Sequence, residues 1–285
     1  MRVLILGASG FVGGAIYEYF IHKGYKVDGT YNNNNSNKKL IHFSLDDKSD
    51  LINKIKTIPY DLIIFSIGYK DIQSTEELKD ISYQVNTVLF NEFIRKVKEI
   101  KINPRIIYIS TDYVFDGLKG LYTSIDNPNP KTHYGLSKFL SELMISKIYN
   151  NYIIIRTSAI ISNKSMFIRW LIKSIKNDEE IDLYDDSFFS PTPISFFLES
   201  LDKYINSVET NYIAHISGNV SISRYKFGLM ILKMMNIKTS NLRIIPSKAP
   251  NKLSFMTGDI SLKNSNNIKF DFEKKIYSDI KNLLK

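Results

Sequence analysis

Short apolar runs alternate with helical stretches along the first 158 residues, and this alternation constrains the fold more than any other feature of the sequence. Uninterrupted apolar runs of four to six residues are typical of strands that a parallel sheet buries on both faces. The predicted strands are residues 3–6, 26–31, 40–45, 61–65, 105–109 and 152–155. The predicted helices are residues 11–23, 50–56, 81–100 and 135–149. The pattern therefore predicts an α/β fold with a doubly wound parallel sheet.

A glycine-rich turn joins the first predicted strand to the first predicted helix. Gly7, Gly10 and Gly13 are spaced so that the first permits a tight turn and the second lets a pyrophosphate approach the backbone. The third allows the helix and strand to pack closely, and the helix N-terminus offers N–H groups and a partial positive charge to an anion. The turn predicts a dinucleotide site of the Rossmann type.

The ends of the predicted strands supply the rest of this cofactor site. NAD-preferring sites carry a carboxylate at the end of the second strand, but the sequence has Thr30 and Asn32 there, and Asp28 comes too early. Without a carboxylate to repel a 2′-phosphate, we predict NADPH as the cofactor, with NADH as the alternative. The residues of the strand ends and the turn that are predicted to bind it are Gly7, Ser9, Gly10, Phe11, Val12, Thr30, Asn32, Ser44, Leu45, Ser66, Ile67 and Gly68.

Thr111, Tyr134 and Lys138 form the predicted catalytic set. Tyr134 and Lys138 are four residues apart and share a helix face, so an ammonium group beside the phenol is predicted to lower the pKa of Tyr134. Thr111 follows the carboxyl end of a strand, where open parallel sheets bind ligands, and would hydrogen-bond a substrate oxygen. The set predicts hydride transfer to a carbonyl carbon while Tyr134 protonates its oxygen. Tyr134 and Lys138 are also predicted to contact the cofactor, Lys138 through the nicotinamide ribose.

The regular alternation of strands and helices ends at about residue 158, and Pro- and Asn-containing loops separate the remaining predicted helices. These helices are residues 167–175, 196–205, 225–235 and 272–284. The change predicts a smaller mixed α/β lobe. We predict that residues 1–158, with roughly 193–220, form the NAD(P)-binding domain, and that residues 159–192 and 221–285 form a substrate-binding lobe.

Composition and charge exclude several other classes of function. The net charge is +9, but the basic residues are dispersed, so no nucleic-acid partner is predicted. The sequence has no cysteine and no ligand spacing among its four histidines, so no metal site is predicted. No apolar run reaches the length of a membrane span, and a cytoplasmic protein with no membrane partner is expected. A solvated or capping role is expected for Glu142.

Several segments together resemble one family of reductases. They are Ser-Thr-Asp-Tyr-Val-Phe-Asp-Gly at 110–117, Arg-Thr-Ser at 156–158, the run at 186–192 that ends in Pro-Thr, His-Ile-Ser-Gly at 215–218 and the segment 223–227. The chain resembles the extended short-chain dehydrogenase/reductases and, within them, the dTDP-4-dehydrorhamnose reductase family. The resemblance extends over nearly the whole chain.

This resemblance implies NAD(P)H-dependent reduction of the 4-keto group of a nucleotide-linked 6-deoxysugar, as in dTDP-rhamnose and polysaccharide biosynthesis. It assigns Thr111, Tyr134 and Lys138 as the catalytic residues, and it places Asp112 and Tyr113 beside the sugar. The implied partner is thus a small-molecule nucleotide sugar, and a homodimer is compatible with the sequence.

The chain departs from the family pattern in the predicted substrate lobe. Ala159 stands where a tryptophan usually faces the sugar, Ser187 and Phe189 replace a glutamine and a glycine, and residues 249–251 lack an Arg-Pro pair. A change from tryptophan to alanine reshapes a pocket, whereas the hydride-transfer residues are unaffected. The sequence therefore predicts the type of reaction, and it leaves the sugar and its nucleotide open.

Two alternatives stay open at this level. The first is a nucleotide-sugar epimerase on the same fold; a dehydratase is disfavoured because Tyr113, not a second acid, follows Asp112. The second is a non-catalytic NADP-binding regulatory subunit, as in methionine adenosyltransferase, whose regulatory subunit resembles the same family. The intact catalytic set favours the reductase.

Overall fold

The computed structural model describes residues 1–33, 39–44, 46–69, 79–237, 244–249, 258–266 and 268–283. Its strands are β1 (Arg2–Leu6), β2 (Lys26–Tyr31), β3 (Ile41–His42), β4 (Leu62–Phe65), β5 (Arg105–Thr111), β6 (Tyr152–Thr157), β7 (Ile160–Ile161), β8 (Ile181–Tyr184), β9 (Ser187–Phe189), β10 (Thr192–Pro193), β11 (Tyr212–Ile216), β12 (Ile222–Ser223), β13 (Ile244–Ser247) and β14 (Gly258–Asp259). Its α-helices are α1 (Phe11–His22), α2 (Ser49–Thr57), α3 (Lys79–Tyr83), α4 (Leu89–Glu99), α5 (His133–Ile148), α6 (Met166–Lys176), α7 (Ile194–Ile205), α8 (Arg224–Met234) and α9 (Phe272–Ile280).

A doubly wound sheet organises the first of two compact units, which contains Met1–Val114, Pro130–Arg156 and Leu201–Ala214. Among the described residues the strand order is β11-β6-β5-β4-β1-β2-β3, and β1 pairs in parallel with both β2 and β4. The chain runs outward from β1 to β3 and then returns to the other side of β1. The carboxyl ends of β1 and β4 therefore form the topological switch point, where such sheets bind ligands. The predicted fold class is confirmed.

Apolar side chains of the strands and of α4 form the core of this unit. Leu4 and Leu6 of β1 and Phe65 of β4 are buried in the same cluster as Phe90 and Phe93 of α4. The rings of Phe65 and Phe90 meet edge to face with centroids 4.7 Å apart. Such pairs add to the stabilisation that comes from removing apolar area from water. This packing fixes the strand ends at which the site is built.

A π-helical segment interrupts the helix that was predicted over residues 81–100. The helix consists of α3, the π-helical residues Gln84–Val88, and α4. Asn86 lies fully buried in the middle of this segment. π-Helical turns inside α-helices occur frequently at functional sites, because they redirect a side chain that a regular helix would point elsewhere.

The second compact unit contains Phe115–Asn129, Thr157–Ser200 and His215–Lys285. Its described strands form three small sheets, β10-β7, β12-β9-β14 and β13-β8. Apolar side chains from α6, α8 and α9 pack together over them. The cofactor and substrate roles of the two predicted domains stay predictions. No described helix of the chain is long and apolar enough to cross a membrane.

Candidate active site

The glycine turn has a close-packed geometry that side chains would disrupt. Gly7 follows β1 with φ of 88°, a left-handed conformation that favours glycine. A Cβ on Gly13 would lie 2.2 Å from the Gly7 carbonyl oxygen and 2.5 Å from Ser66 Oγ. The Gly10 N–H donates to the Gly7 carbonyl at 2.9 Å, which closes the turn in front of α1. The start of α1 thus lies directly against the end of β1, as a phosphate-binding turn requires.

A cavity of about 740 Å³ lies against this turn, within the first unit. Of the residues predicted from the turn and strand ends to bind the cofactor, those in the described part that line it are Gly7, Ser9, Gly10, Phe11, Val12, Thr30, Asn32, Ser44, Ser66, Ile67 and Gly68. Leu45 lies outside the described residues. The other two, Tyr134 and Lys138, are not among the lining residues, but Lys138 Nζ lies 4.0 Å from the position of a Cβ on Gly68.

The adenosine end of the predicted site differs in detail from the sequence argument. The Thr30 hydroxyl is buried and accepts a hydrogen bond from the Gly7 N–H at 3.0 Å, so it holds the glycine turn. Asp46 and Asp47, which follow β3, also line the cavity. The end of β2 thus lacks a carboxylate, as the sequence indicated, but the cavity itself does not. The sequence argument missed these two acids because it looked for a carboxylate only at the end of the second strand.

Thr111 is the last residue of β5 and begins a tightly bonded turn. Its hydroxyl donates to Asp112 Oδ1 at 3.0 Å, and the Tyr113 N–H donates to the same hydroxyl oxygen at 3.3 Å. The turn packs against the start of α5, because a Cβ on Gly135 would lie only 2.0 Å from the Tyr113 carbonyl oxygen. This contact brings the strand end and the first turn of α5 together.

Tyr134 lies in the first turn of α5, next to Thr111. A side-chain hydrogen bond joins the two hydroxyl groups, and the Tyr134 ring meets the ring of Tyr113 edge to face at 5.9 Å. Burial raises the pKa of Tyr134 above its ordinary value; Asp112 and Tyr113 act in the same direction, and the hydrogen bond with Thr111 opposes them. The predicted lowering of this pKa is wrong, because desolvation of the phenolate outweighs every stabilising contact.

Lys138 lies one turn further along α5 and is 3% exposed. Its Nζ sits 4.1 Å from the centroid of the Tyr108 ring, a cation–π contact with a buried side chain of β5. Burial lowers the pKa of Lys138 from 10.5 to about 7, and the Glu142 carboxylate opposes that shift. Near neutral pH the amine can therefore exist with or without its proton.

Replacing Lys138 with methionine is expected to raise the free energy of unfolding by about 1–4 kcal/mol near pH 6. Because the folded-state pKa is about 7 and the ordinary value is 10.5, the unfolded chain binds more protons between these values. Wild-type stability therefore rises with pH across that window, and the cost of the buried ammonium is present in full below it. Urea unfolding of both proteins near pH 6 and near pH 10 measures the difference, which should shrink at the higher pH.

Lys147→Met provides the matched control, because Lys147 is exposed on the same helix. It should change stability by less than about 0.5 kcal/mol at either pH. If Lys138→Met were destabilised equally at both pH values, burial of the Lys138 ammonium group would not cost stability, and the prediction would be wrong.

Glu142 is buried, contrary to the solvated or capping role that the sequence suggested. Its carboxylate accepts from Ser110 Oγ at 2.5 Å, from Arg156 Nη2 at 2.6 Å and from Arg156 Nε at 3.1 Å. The side chains of Arg156 and Glu142 are 1% and 2% exposed. The spacing of four residues from Lys138 could have indicated a shared face, but the partner on β6 is visible only in the fold.

Asn86 is a residue near Lys138 that the sequence analysis did not mention. Its Oδ1 accepts from the Tyr69 N–H at 2.7 Å, and its amide nitrogen donates to the Tyr69 carbonyl at 3.1 Å and to Ser137 Oγ at 3.0 Å. Asn86 therefore connects the loop after β4 to α5, next to Lys138. No spacing in the sequence marks it, because its position depends on the π-helical segment.

Comparison with known proteins gives consistent matches along the chain. A family model described as the RmlD substrate binding domain matches residues 1–265. The spore coat polysaccharide biosynthesis protein SpsK of Bacillus subtilis is 26% identical over 254 residues, 88% of this chain and 85% of that protein. A dTDP-4-dehydrorhamnose reductase of Aggregatibacter actinomycetemcomitans is 26% identical over 238 residues, covering 81% and 78%.

One solved structure shows how closely the fold is shared. It is dTDP-4-dehydrorhamnose reductase from Bacillus anthracis in complex with NADP, which is 24% identical in sequence. The two superpose with a TM-score of 0.82 over 99% of this chain and 98% of that one. At this identity the likeness concerns the fold.

Proposed function

Because the chain belongs to the RmlD substrate binding domain family, as its motifs predict, we propose that it reduces the 4-keto group of a nucleotide-linked 6-deoxysugar. NADPH is the proposed reductant and NADH the alternative. The Aggregatibacter reductase supports the reaction class, and the NADP bound to the Bacillus anthracis enzyme supports the cofactor. One observation carries the proposal: Tyr134 is hydrogen-bonded to Thr111, while Lys138 lies one turn along the same helix at the edge of the cofactor cavity.

The residues around the cavity fit a dinucleotide. Its volume of about 740 Å³ falls in the range of cofactor sites, and at Gly13 the backbone of the turn approaches too closely for any side chain. The turn from Gly7 to Gly13 would hold the phosphates at the N-terminus of α1. A reduced nicotinamide supplies a hydride for a carbonyl carbon when it is bound.

The protein's own contribution to the reaction would be to position the substrate oxygen and to deliver a proton. Tyr134 would donate its phenolic proton to the oxygen as the carbonyl becomes an alcohol, and its raised pKa keeps that proton in place beforehand. Thr111 would hold the same oxygen by a hydrogen bond. A protonated Lys138 would stabilise the phenolate that remains. Asp112 and Tyr113 are the proposed sugar contacts.

The test is oxidation of NADPH and NADH by the purified protein with a panel of dTDP-, UDP- and GDP-linked 4-keto-6-deoxysugars. We expect absorbance of the reduced cofactor to fall only when a keto sugar is present, and to fall faster with NADPH. The panel spans several nucleotides because Ala159 and Phe189 depart from the family pattern in the predicted substrate lobe.

Two results of this assay would support other functions. Tightly held NAD that copurifies and does not exchange, with sugar isomerised and no net oxidation, would indicate an epimerase. Cofactor binding without turnover of any keto sugar would indicate a regulatory subunit.

A further inference from the structure

The face of α5 that carries Tyr134 and Lys138 continues one turn further to Glu142. Residues four apart on a helix lie about 5–6 Å from each other at their Cβ atoms, so Glu142 and Lys138 are neighbours on that face. Among the described residues, the Glu142 carboxylate is the charge that acts on the Lys138 amine, and it favours the protonated form. Lys138 therefore lies between Tyr134 and Glu142 along one face of α5.

Two strands hold the Glu142 carboxylate in place. Ser110 donates to it from β5, immediately before Thr111, and Arg156 donates three hydrogen bonds from β6, two through Nε and one through Nη2. The network therefore connects the helix that carries Tyr134 and Lys138 to the strand that carries Thr111. The bonds from Ser110 Oγ and Arg156 Nη2 are short, and both charged side chains are almost completely removed from water.

Stability alone does not account for this arrangement. A buried ion pair costs so much desolvation that apolar side chains of similar volume often serve equally well or better. What apolar residues could not provide is a negative charge one helical turn from a buried amine. The placement of the pair beside Lys138 is therefore the informative feature.

Among the residues that the structure describes, the other groups around Lys138 cannot replace this charge. Tyr108 of β5 presents its ring face, and Tyr134 of α5 presents a phenol that burial keeps protonated. Gly68 and Asn86, from the loop after β4 and the π-helical segment, bring no charge. Asp112 acts on Tyr134 and is not among the charges that shift Lys138.

We propose that Glu142 is a positioning residue for the proposed reductase reaction: its carboxylate, held by Ser110 and Arg156, keeps the Lys138 amine protonated beside Tyr134. This inference rests on the proposed function for its catalytic meaning. The charge effect itself is a property of the folded protein and can be measured without turnover.

The experiment is a ¹³C NMR titration of lysine ε-carbons in the full chain, with Lys138→Met to assign the Lys138 signal. Glu142→Gln should lower the pH at which Lys138 loses its proton by about one pH unit, since a unit charge several ångströms away has that effect at a protein's effective dielectric. Glu142→Asp should restore most of the wild-type midpoint. Ser110→Ala, which removes a hydrogen bond and no charge, should leave the midpoint unchanged.

Glu142→Gln leaves the Arg156 guanidinium buried without its carboxylate partner, which destabilises the folded protein. A second variant without this unpaired charge is therefore measured as well. In Glu142→Gln with Arg156→Met both charges are removed, and the midpoint should still be lowered, but by less than in the single variant, because the Arg156 cation no longer repels a protonated Lys138. An unchanged midpoint in both folded variants would overturn the proposal. So would an equal shift in Ser110→Ala, which would indicate a packing effect.

Steady-state kinetics then separate this inference from the proposed function. In an active wild-type enzyme, Glu142→Gln should move the alkaline limb of the kcat profile to lower pH by the same amount, with activity approaching that of wild type in acid and KM nearly unchanged. An active enzyme whose profile does not move would contradict the role of Glu142 alone. A shifted NMR midpoint in a protein that reduces no keto sugar would contradict the reductase function and leave the charge effect standing.

Discussion

Tyr134→Phe is expected to lower kcat for reduction about 10²–10⁴-fold, with NADPH affinity changed by no more than a few fold, because it removes only the proposed general acid. The ring that packs edge-on against Tyr113 stays in place, so the site keeps its shape. Steady-state rates with the reactive keto sugar and a fluorescence titration with NADPH measure the two quantities. The variant also loses the hydrogen bond with Thr111, which adds to the loss of turnover.

Tyr149→Phe is the matched control for this substitution. Tyr149 ends the same helix, and its hydroxyl donates to the Pro104 carbonyl at 2.7 Å, away from the site. Its loss should cost about 1 kcal/mol of stability and leave kcat close to wild type. If Tyr134→Phe turned over as fast as Tyr149→Phe, the proton would have to come from another group.

Gly13→Ala is expected to weaken NADPH binding by at least about tenfold and to destabilise the fold by about 1–3 kcal/mol. The added Cβ would lie 2.2 Å from the Gly7 carbonyl oxygen and 2.5 Å from Ser66 Oγ, so α1 must move away from the ends of β1 and β4. That movement displaces the N–H groups that would face the phosphates. Calorimetric titration with NADPH and thermal unfolding measure the two effects.

Gly14→Ala tests whether the effect belongs to the contact or to any alanine in the helix. Its Cβ would meet only the Ala8 carbonyl oxygen, at 3.1 Å, and alanine is favoured over glycine inside a helix by about 1 kcal/mol. Cofactor affinity should remain near that of wild type. Equal losses in both variants would mean that the close approach at Gly13 is not what shapes the cavity.

The sequence predicted the sheet and the cofactor turn because both depend on local patterns. Uninterrupted apolar runs such as residues 62–65 correspond to buried strands, and the glycine spacing matches the turn in front of α1. Knowing that parallel strand ends meet at one edge was enough to collect residues as distant as Asn32 and Gly68 around one cavity. The π-helical residues Gln84–Val88 were not predictable, since their apolar pattern also fits a regular helix.

The sequence predicted which residues form the site better than it predicted their protonation states. Helical spacing placed Tyr134 and Lys138 on one face, but it could not show how much water each would lose. Desolvation raises the pKa of Tyr134 and lowers that of Lys138, so the phenol stays protonated and the amine carries the titration near neutrality. The sequence argument had assigned the shift to the phenol.

By itself, then, the sequence determined the doubly wound sheet, the glycine turn and the alignment of Tyr134 with Lys138, because backbone periodicity and strand-end geometry act over a few residues. Only the tertiary structure decided that Glu142 is buried against Ser110 and Arg156 and that Asp46 and Asp47 line the cavity beside the glycine turn. Burial and charge neighbours depend on segments far apart in the chain, and the energy of an ionisable group depends on both.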